Sequence, residues 1–189
     1  MSALPETPPP QRRMTVEEFL AWSEAQEGRY ELVDGLVYAQ ASERVGHSRA
    51  KAAVFLALAN AVRRRGLSCE ALPDGLAVRV GARTVFEPDA LVYCGPKLPP
   101  DTLLIENPTI VVEVISPTTG RNDHTRKVAG YFRLESVRHY LIVDPDDRLI
   151  VHHARGDDGV IRTAPLTEGV VTLDPPGIEF SFAEIYDAS

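Results

Sequence analysis

Thr109-Ile110-Val111-Val112-Glu113-Val114-Ile115 is a β-branched, apolar run interrupted by one carboxylate. Its composition and length predict a buried β-strand, and Ser116-Pro117-Thr118-Thr119-Gly120 supplies turn chemistry directly after it. Alternate residues of a strand share a face, so Val111, Glu113 and Ile115 project one way and Val112 and Val114 the other. A lone ionised carboxylate in such a strand costs several kcal/mol unless a partner or a metal compensates it. Glu113 is therefore either a structural acid paired with an arginine or an acid kept for chemistry. Buried ion pairs gain little over apolar packing, which favours the second reading.

Upstream, Glu87-Pro88-Asp89 leads into a second apolar run, Ala90-Leu91-Val92-Tyr93. Pro-Asp alone is an ordinary turn dipeptide. What singles out Asp89 is that it opens a strand just ahead of the one carrying Glu113. Were the two strands adjacent, both carboxylates could reach one hard cation; magnesium needs only one or two carboxylates besides waters and phosphate oxygens. Downstream, Lys127 follows Asp123 by four residues and precedes Tyr131 by four, on one face of a predicted helix. That lysine either forms a solvated i,i+4 salt bridge, or orients an attacking water and stabilises charge developing on a phosphate. Two strand acids and a nearby lysine are the minimal set for metal-assisted phosphodiester cleavage.

Around this centre, Thr15 followed by Glu17 and Glu18 predicts a helix over about 15–25. The alternation around Asp34-Gly35 predicts a hairpin of strands at about 29–33 and 36–40. Ala50, Val54, Leu58, Ala61 and Val62 recur at helical spacing, and Gly66 stands where a C-cap belongs, giving a helix over about 46–65. Short strands are expected at about 67–72, 76–80 and 89–93, then the Glu113 strand and a helix over about 123–135. Two more strands, near about 138–144 and 148–153, a last pair of short strands and a helical turn complete the chain. This order predicts an α/β (α+β) fold, a mixed sheet with helices packed on it. A single domain is expected over 14–189, after a disordered lead over 1–13 carrying Pro5, Pro8, Pro9 and Pro10.

The 189 residues have the hydrophobic fraction (44%) and charged fraction (25%) of an ordinary globular protein, with no apolar run long enough to cross a bilayer. No n-region and h-region stand at the start, so a cytoplasmic protein is expected. A net charge of −7 argues against non-specific coating of nucleic acid but not against a nuclease, whose active-site acids enter that total. Two cysteines, Cys69 and Cys94, build neither a disulfide framework nor a thiolate zinc cluster. His124, His139, His152 and His153 lack zinc-like spacing, and no Gly-rich phosphate loop or G-x-S-x-G elbow is present. Glu31 and His47 have plain structural readings, an outward strand residue and a hydrogen-bonded helix start. Arg63-Arg64-Arg65 read as solvated cations at a helix C-terminus, and a second basic group comprises Arg121, Arg126, Lys127 and Arg133.

With these residues in hand, the chain resembles the Uma family of restriction-endonuclease-like proteins, within the PD-(D/E)XK nuclease superfamily. The matching segments are Met14–Phe19, Tyr30–Gly35, His47, Glu87-Pro88-Asp89, Val111–Pro117, Asp123 with Lys127 and Tyr131, and Tyr140–Pro145, in family order. The resemblance implies a restriction-endonuclease-like mixed β-sheet core flanked by helices. It implies Asp89 and Glu113 as acids for Mg²⁺ (or Mn²⁺), Glu31 as a further catalytic acid, and His47 and Tyr131 in support. It also implies DNA as substrate and a homodimer. The superfamily lysine normally stands two residues after the second acid, which here is Ile115. A lysine supplied by the following helix maps to Lys127. The expected activity is metal-dependent endonucleolytic hydrolysis of DNA; the alternative is a catalytically inactive nuclease-like module that binds nucleic acid or a protein partner.

Overall fold

The computed structural model describes residues 12–40, 42–115 and 121–187, without the side chains of 121–124. Most of the expected proline-rich lead, and the side chain of Asp123, lie outside this description. Helix α1 (Val16–Ser23) opens on a capping box: the Thr15 hydroxyl accepts from the Glu18 N–H, and the Glu18 carboxylate accepts from the Thr15 N–H. Strands β1 (Tyr30–Val33) and β2 (Leu36–Ala39) form the hairpin signalled by Asp34-Gly35, both of which adopt positive φ as a two-residue turn demands. Helix α2 (Val45–Arg65) ends at Gly66 in the left-handed conformation.

Strands β3 (Glu70–Pro73), β4 (Ala77–Gly81), β5 (Thr84–Phe86), β6 (Ala90–Tyr93), β7 (Leu104–Ile105) and β8 (Ile110–Val114) precede helix α3 (Arg121–Tyr131). Then come β9 (His139–Asp144), β10 (Leu149–Arg155), β11 (Ile161–Leu166), β12 (Val170–Leu173), β13 (Ile178–Ser181) and the short α4 (Ala183–Tyr186). Six strands form one mixed sheet in the order β11-β10-β9-β8-β6-β3, and five form a second in the order β2-β1-β5-β4-β7. Strand β8 runs parallel to β9 through the α3 crossover and antiparallel to β6, with Ala90 opposite Val112. The adjacency that the two acids required is therefore present.

Both faces of β8 are buried, each against a different core. Ile110, Val112 and Val114 pack with Val54, Leu58, Leu141 and Phe180, beneath α2, α4 and the β12–β13 ribbon. Val111 packs on the other face with Phe86, Tyr131, Tyr140 and Val78, between the two sheets and α3. Glu113 shares the face of Val111, so it projects into the space between the sheets.

The expectations need four corrections. Strand β5 and the two-residue β7 are too short to leave an alternation in the sequence. Helix α3 ends at Tyr131, where Arg133 and Leu134 N–H groups turn to carbonyls three residues back. The chain after β10 forms three strands rather than a pair, because the half-exposed β11 extends the main sheet instead of joining the ribbon. Arg64 and Arg65 are not merely solvated: Arg64 pairs with Glu184, and Arg65 donates to the Gly177 carbonyl, tying α2 to the C-terminal ribbon. Cys69 and Cys94 flank the β3–β6 pairing and are joined as a disulfide. No described helix is long and apolar enough to cross a membrane.

Gly130 sets how closely α3 lies on the second sheet. A Cβ there would stand 2.5 Å from a ring carbon of Phe86, which is itself buried edge-on against Tyr131 at a centroid separation of 5.2 Å. Gly130→Ala is expected to destabilise the fold by about 1–3 kcal/mol, the usual cost of overpacking. Thermal unfolding checks this, and an unchanged midpoint would contradict the packing.

On β9 and β10 the His139 Nδ1 and His152 Nε2 lie 2.9 Å apart, so one ring donates and the other accepts. Burial, reinforced by His139 and His153, lowers the His152 pKa to about 4. The unfolded chain then binds a proton near pH 6.5 that the native chain refuses. Stability is expected to be intact above about pH 6.5 and to fall as pH drops towards about 4. Urea midpoints across this range check the slope, which His152→Gln should flatten.

Candidate active site

Three buried carboxylates and two buried ammonium groups meet where the two sheets face each other. Both oxygens of Glu113, on β8, accept from Lys127 Nζ at 3.0 Å, and its Oε1 also accepts from the Tyr131 hydroxyl at 2.6 Å. Lys127 and Tyr131 lie one turn apart on α3, which is how a helix delivers two side chains to one carboxylate. Lys127 Nζ also donates to Glu31 Oε1 at 3.0 Å, and Glu31 accepts from the Glu87 N–H at 2.9 Å. Since Glu31 belongs to β1, Lys127 links an acid of one sheet to an acid of the other.

Asp89, at the mouth of β6, accepts from the Val114 N–H through Oδ2 at 2.6 Å and pairs through Oδ1 with Lys51 Nζ at 3.0 Å. Lys51 projects from α2 and also pairs with Asp74 at 2.6 Å and with Glu43. Arg29 continues the chain of charges to Asp74 at 2.9 Å and Glu87 at 3.0 Å.

Burial is the main force pushing the Glu113 pKa up to about 8; Lys127 opposes it, while the Asp89 and Glu31 charges add to it. Burial works against the charged form of Lys51, but Asp74, Asp89 and Glu43 together push its pKa up to about 12. Tyr131 is raised by burial and then by Glu113, which keeps it a neutral donor. The site is thus a network in which six carboxylates, those of Glu31, Glu43, Asp74, Glu87, Asp89 and Glu113, share three cations, Arg29, Lys51 and Lys127.

Glu31, Asp89, Glu113, Lys127 and Tyr131, all singled out in the sequence, are brought together here. Glu113 does have a cationic partner, but a lysine rather than an arginine. Lys127 is not a solvated i,i+4 cation: it is buried, and its acids come from β1 and β8. Ile115 packs against the core between the sheets, and the lysine reaches Glu113 from the following helix instead. Among the described contacts His47 bonds none of Glu31, Asp89 and Glu113. Its Nε2–H donates to the Val114 carbonyl at 2.7 Å, bracing the end of β8, and its Nδ1 lies 3.6 Å from Glu43.

Lys51, Asp74, Glu43, Arg29 and Glu87 were not anticipated as site residues. Lys51 did leave a signal: with Val54, Leu58 and Ala61 it falls on the buried stripe of α2, where a lysine needs an acid. The partners of Arg29 are 45 and 58 residues away in sequence, so no local pattern could show them.

Among the described residues no three His, Cys, Asp or Glu side chains converge as a ready metal cage. The donor chemistry of Asp89 and Glu113 nevertheless fits a hard divalent cation. Both offer carboxylate oxygens with lone pairs beyond those used by Val114, Lys51, Lys127 and Tyr131. A cation beside Glu113 would also remove the burial penalty on its ionised form.

A family model described as "Putative restriction endonuclease", Uma2, matches residues 16–184. The chain belongs to the Uma2 family. Among similar proteins, an uncharacterized protein of Synechocystis sp. is 30% identical over 148 residues, spanning 78% of this chain and 77% of that relative. A crystal structure from Anabaena variabilis, described as "a putative nuclease belonging to DUF820", superposes with a TM-score of 0.75 at 16% identity, covering 92% of this chain and 98% of that one. That likeness is one of fold, and it bears out the mixed-sheet architecture expected from the sequence.

Proposed function

We propose that this Uma2 protein is a metal-dependent endonuclease that hydrolyses phosphodiester bonds in DNA. The observation that carries the reading is Lys127 Nζ held at 3.0 Å from both Glu31 and Glu113, beside Asp89, in a buried site between two sheets. Asp89 and Glu113 would hold Mg²⁺ or Mn²⁺, which when bound supplies Lewis acidity at the scissile phosphate and a lowered pKa for the attacking water. Lys127 presents a fixed positive charge to the phosphate, already oriented by two acids, so little reorganisation accompanies charge development. Glu31, bonded to the same Nζ of Lys127 as Glu113, would position the water. Tyr131 fixes the rotamer of Glu113 through its hydroxyl, and Lys51 and the Val114 N–H fix that of Asp89. A cation held there would favour the ionised form of Glu113, which burial alone disfavours.

The family resemblance adds a homodimer to this reading, and the cytoplasmic location expected from the sequence stands beside it. One observation favours a second reading, a nuclease-like module without catalysis: Asp89 is already paired with Lys51, and Glu31 and Glu113 with Lys127, so these acids have cationic partners without a metal. Incubation with supercoiled plasmid separates the two. Nicking that needs Mg²⁺ or Mn²⁺ and stops with chelator is the expected result; no nicking with either metal would leave the module.

A further inference from the structure

Beside the acid site lies a cavity of about 380 Å³ whose lining includes Arg13, Arg83, Arg126, Asp34, Tyr38 and Val33. Its position follows from two registers. Val33 lies two residues after Glu31 on β1, hence on the same face and about 7 Å along the strand. Arg126 immediately precedes Lys127 on α3. The cavity therefore opens next to the catalytic pocket, on the side of the β1–β2 turn.

Its charge is unlike that of the rest of the chain. The chain carries −7 overall, yet three exposed guanidinium groups line this cavity against one carboxylate, Asp34. Arg29, Arg79, Arg138, Arg148 and Arg162 are each held by a carboxylate. Among the described residues Arg83 and Arg126 have no such partner, and Arg13 is anchored only through the Asp34 carbonyl, at 3.0 Å. Unpaired, exposed arginines converging on a concavity suit bidentate contact with phosphate oxygens. Tyr38, 46% exposed at the rim, offers an aromatic face to a base or sugar.

We propose that this cavity seats the phosphodiester backbone of a nucleic acid on one side of the scissile bond. The inference rests on the nuclease reading of the neighbouring acids for its orientation. A strand carrying one charge about every 3.4 Å of axis places its next phosphates within the cavity when one phosphate lies beside Lys127. The arginines thereby supply local attraction for phosphate in a chain whose net charge is −7.

The test is fluorescence anisotropy of labelled 20-mer duplex DNA, and in parallel duplex RNA, with Ca²⁺ present and probe integrity checked by gel, over a series of salt concentrations. R13A/R83A/R126A is expected to reduce the slope of log K against log[salt] by about 2–3, the value for three lost phosphate contacts. R13K/R83K/R126K should recover most of that slope, and Arg162→Ala, at the far edge of the main sheet, should leave it unchanged. Loss of slope on RNA alone would assign the same cavity to RNA. A wild-type slope in the triple alanine variant overturns the proposal, as does failure of wild type to bind either duplex. A protein that binds through these arginines but never cleaves would sustain the cavity while removing the nuclease reading. Cleavage with an unchanged slope would do the reverse.

Discussion

Glu113→Gln is expected to abolish metal-dependent cleavage while leaving the protein folded. Glutamine keeps the volume and an acceptor for Tyr131 and Lys127, and Lys127 retains Glu31. Burial raises the pKa of the wild-type carboxyl and so disfavours its charge, which glutamine lacks; the thermal midpoint of the variant should therefore lie close to that of wild type. What it lacks is the anion. Loss of a residue that only orients a metal ligand typically costs 10–100-fold, so loss of the ligand itself should reduce single-turnover cleavage by at least about 10²-fold. Cleavage retained by Glu113→Gln would remove Glu113 from the chemistry.

Lys127→Met should show the opposite balance, a large stability effect accompanying the loss of activity. It strands Glu31 and Glu113 beneath the sheets without their shared cation, and breaking a buried pair in this way costs about 3–5 kcal/mol. For a chain of this size that corresponds to a fall in Tm of about 6–20 °C. The deficit should deepen at higher pH. A carboxyl whose folded pKa is raised keeps a proton that the unfolded chain has already lost, so the metal-free protein loses stability as pH rises from about 4.5 towards about 8. Without Lys127 that window extends further upward. Mn²⁺ should recover more stability in the variant than in wild type, having one ammonium fewer to compete with. Differential scanning calorimetry at pH 6 and pH 8, with and without Mn²⁺, measures all of this. A wild-type Tm for Lys127→Met would mean that its contacts contribute nothing.

Which parts of this were legible in the sequence follows from how local each signal is. The Glu113 strand could be read because an acid in a β-branched run stands out within seven residues, and Gly66 and Asp34-Gly35 announced a helix end and a turn by backbone conformation alone. The pairing of β6 with β8 could be expected but not read: it depends on the chain between Tyr93 and Ile110 returning beside its own strand. Strand β5 was missed because three residues carry no period, yet it places Phe86 against Tyr131 and, through Gly130, sets the depth of α3. Family resemblance supplied Glu31; nothing local distinguishes it from an outward strand residue, and only its contact with Lys127 does so in space. Lys51 lay in plain view on an apolar stripe, but its acids come from positions 43, 74 and 89 and converge only in the folded chain.

The most direct measurement is calorimetric titration of Mn²⁺ into wild type and Asp89→Ala, each with a cleavage-resistant phosphorothioate duplex bound so that a shell completed by phosphate oxygens is not missed. The expected result is a saturable heat for wild type that Asp89→Ala loses. No heat with wild type, or the same heat with both proteins, would contradict a metal centre at Asp89 and Glu113.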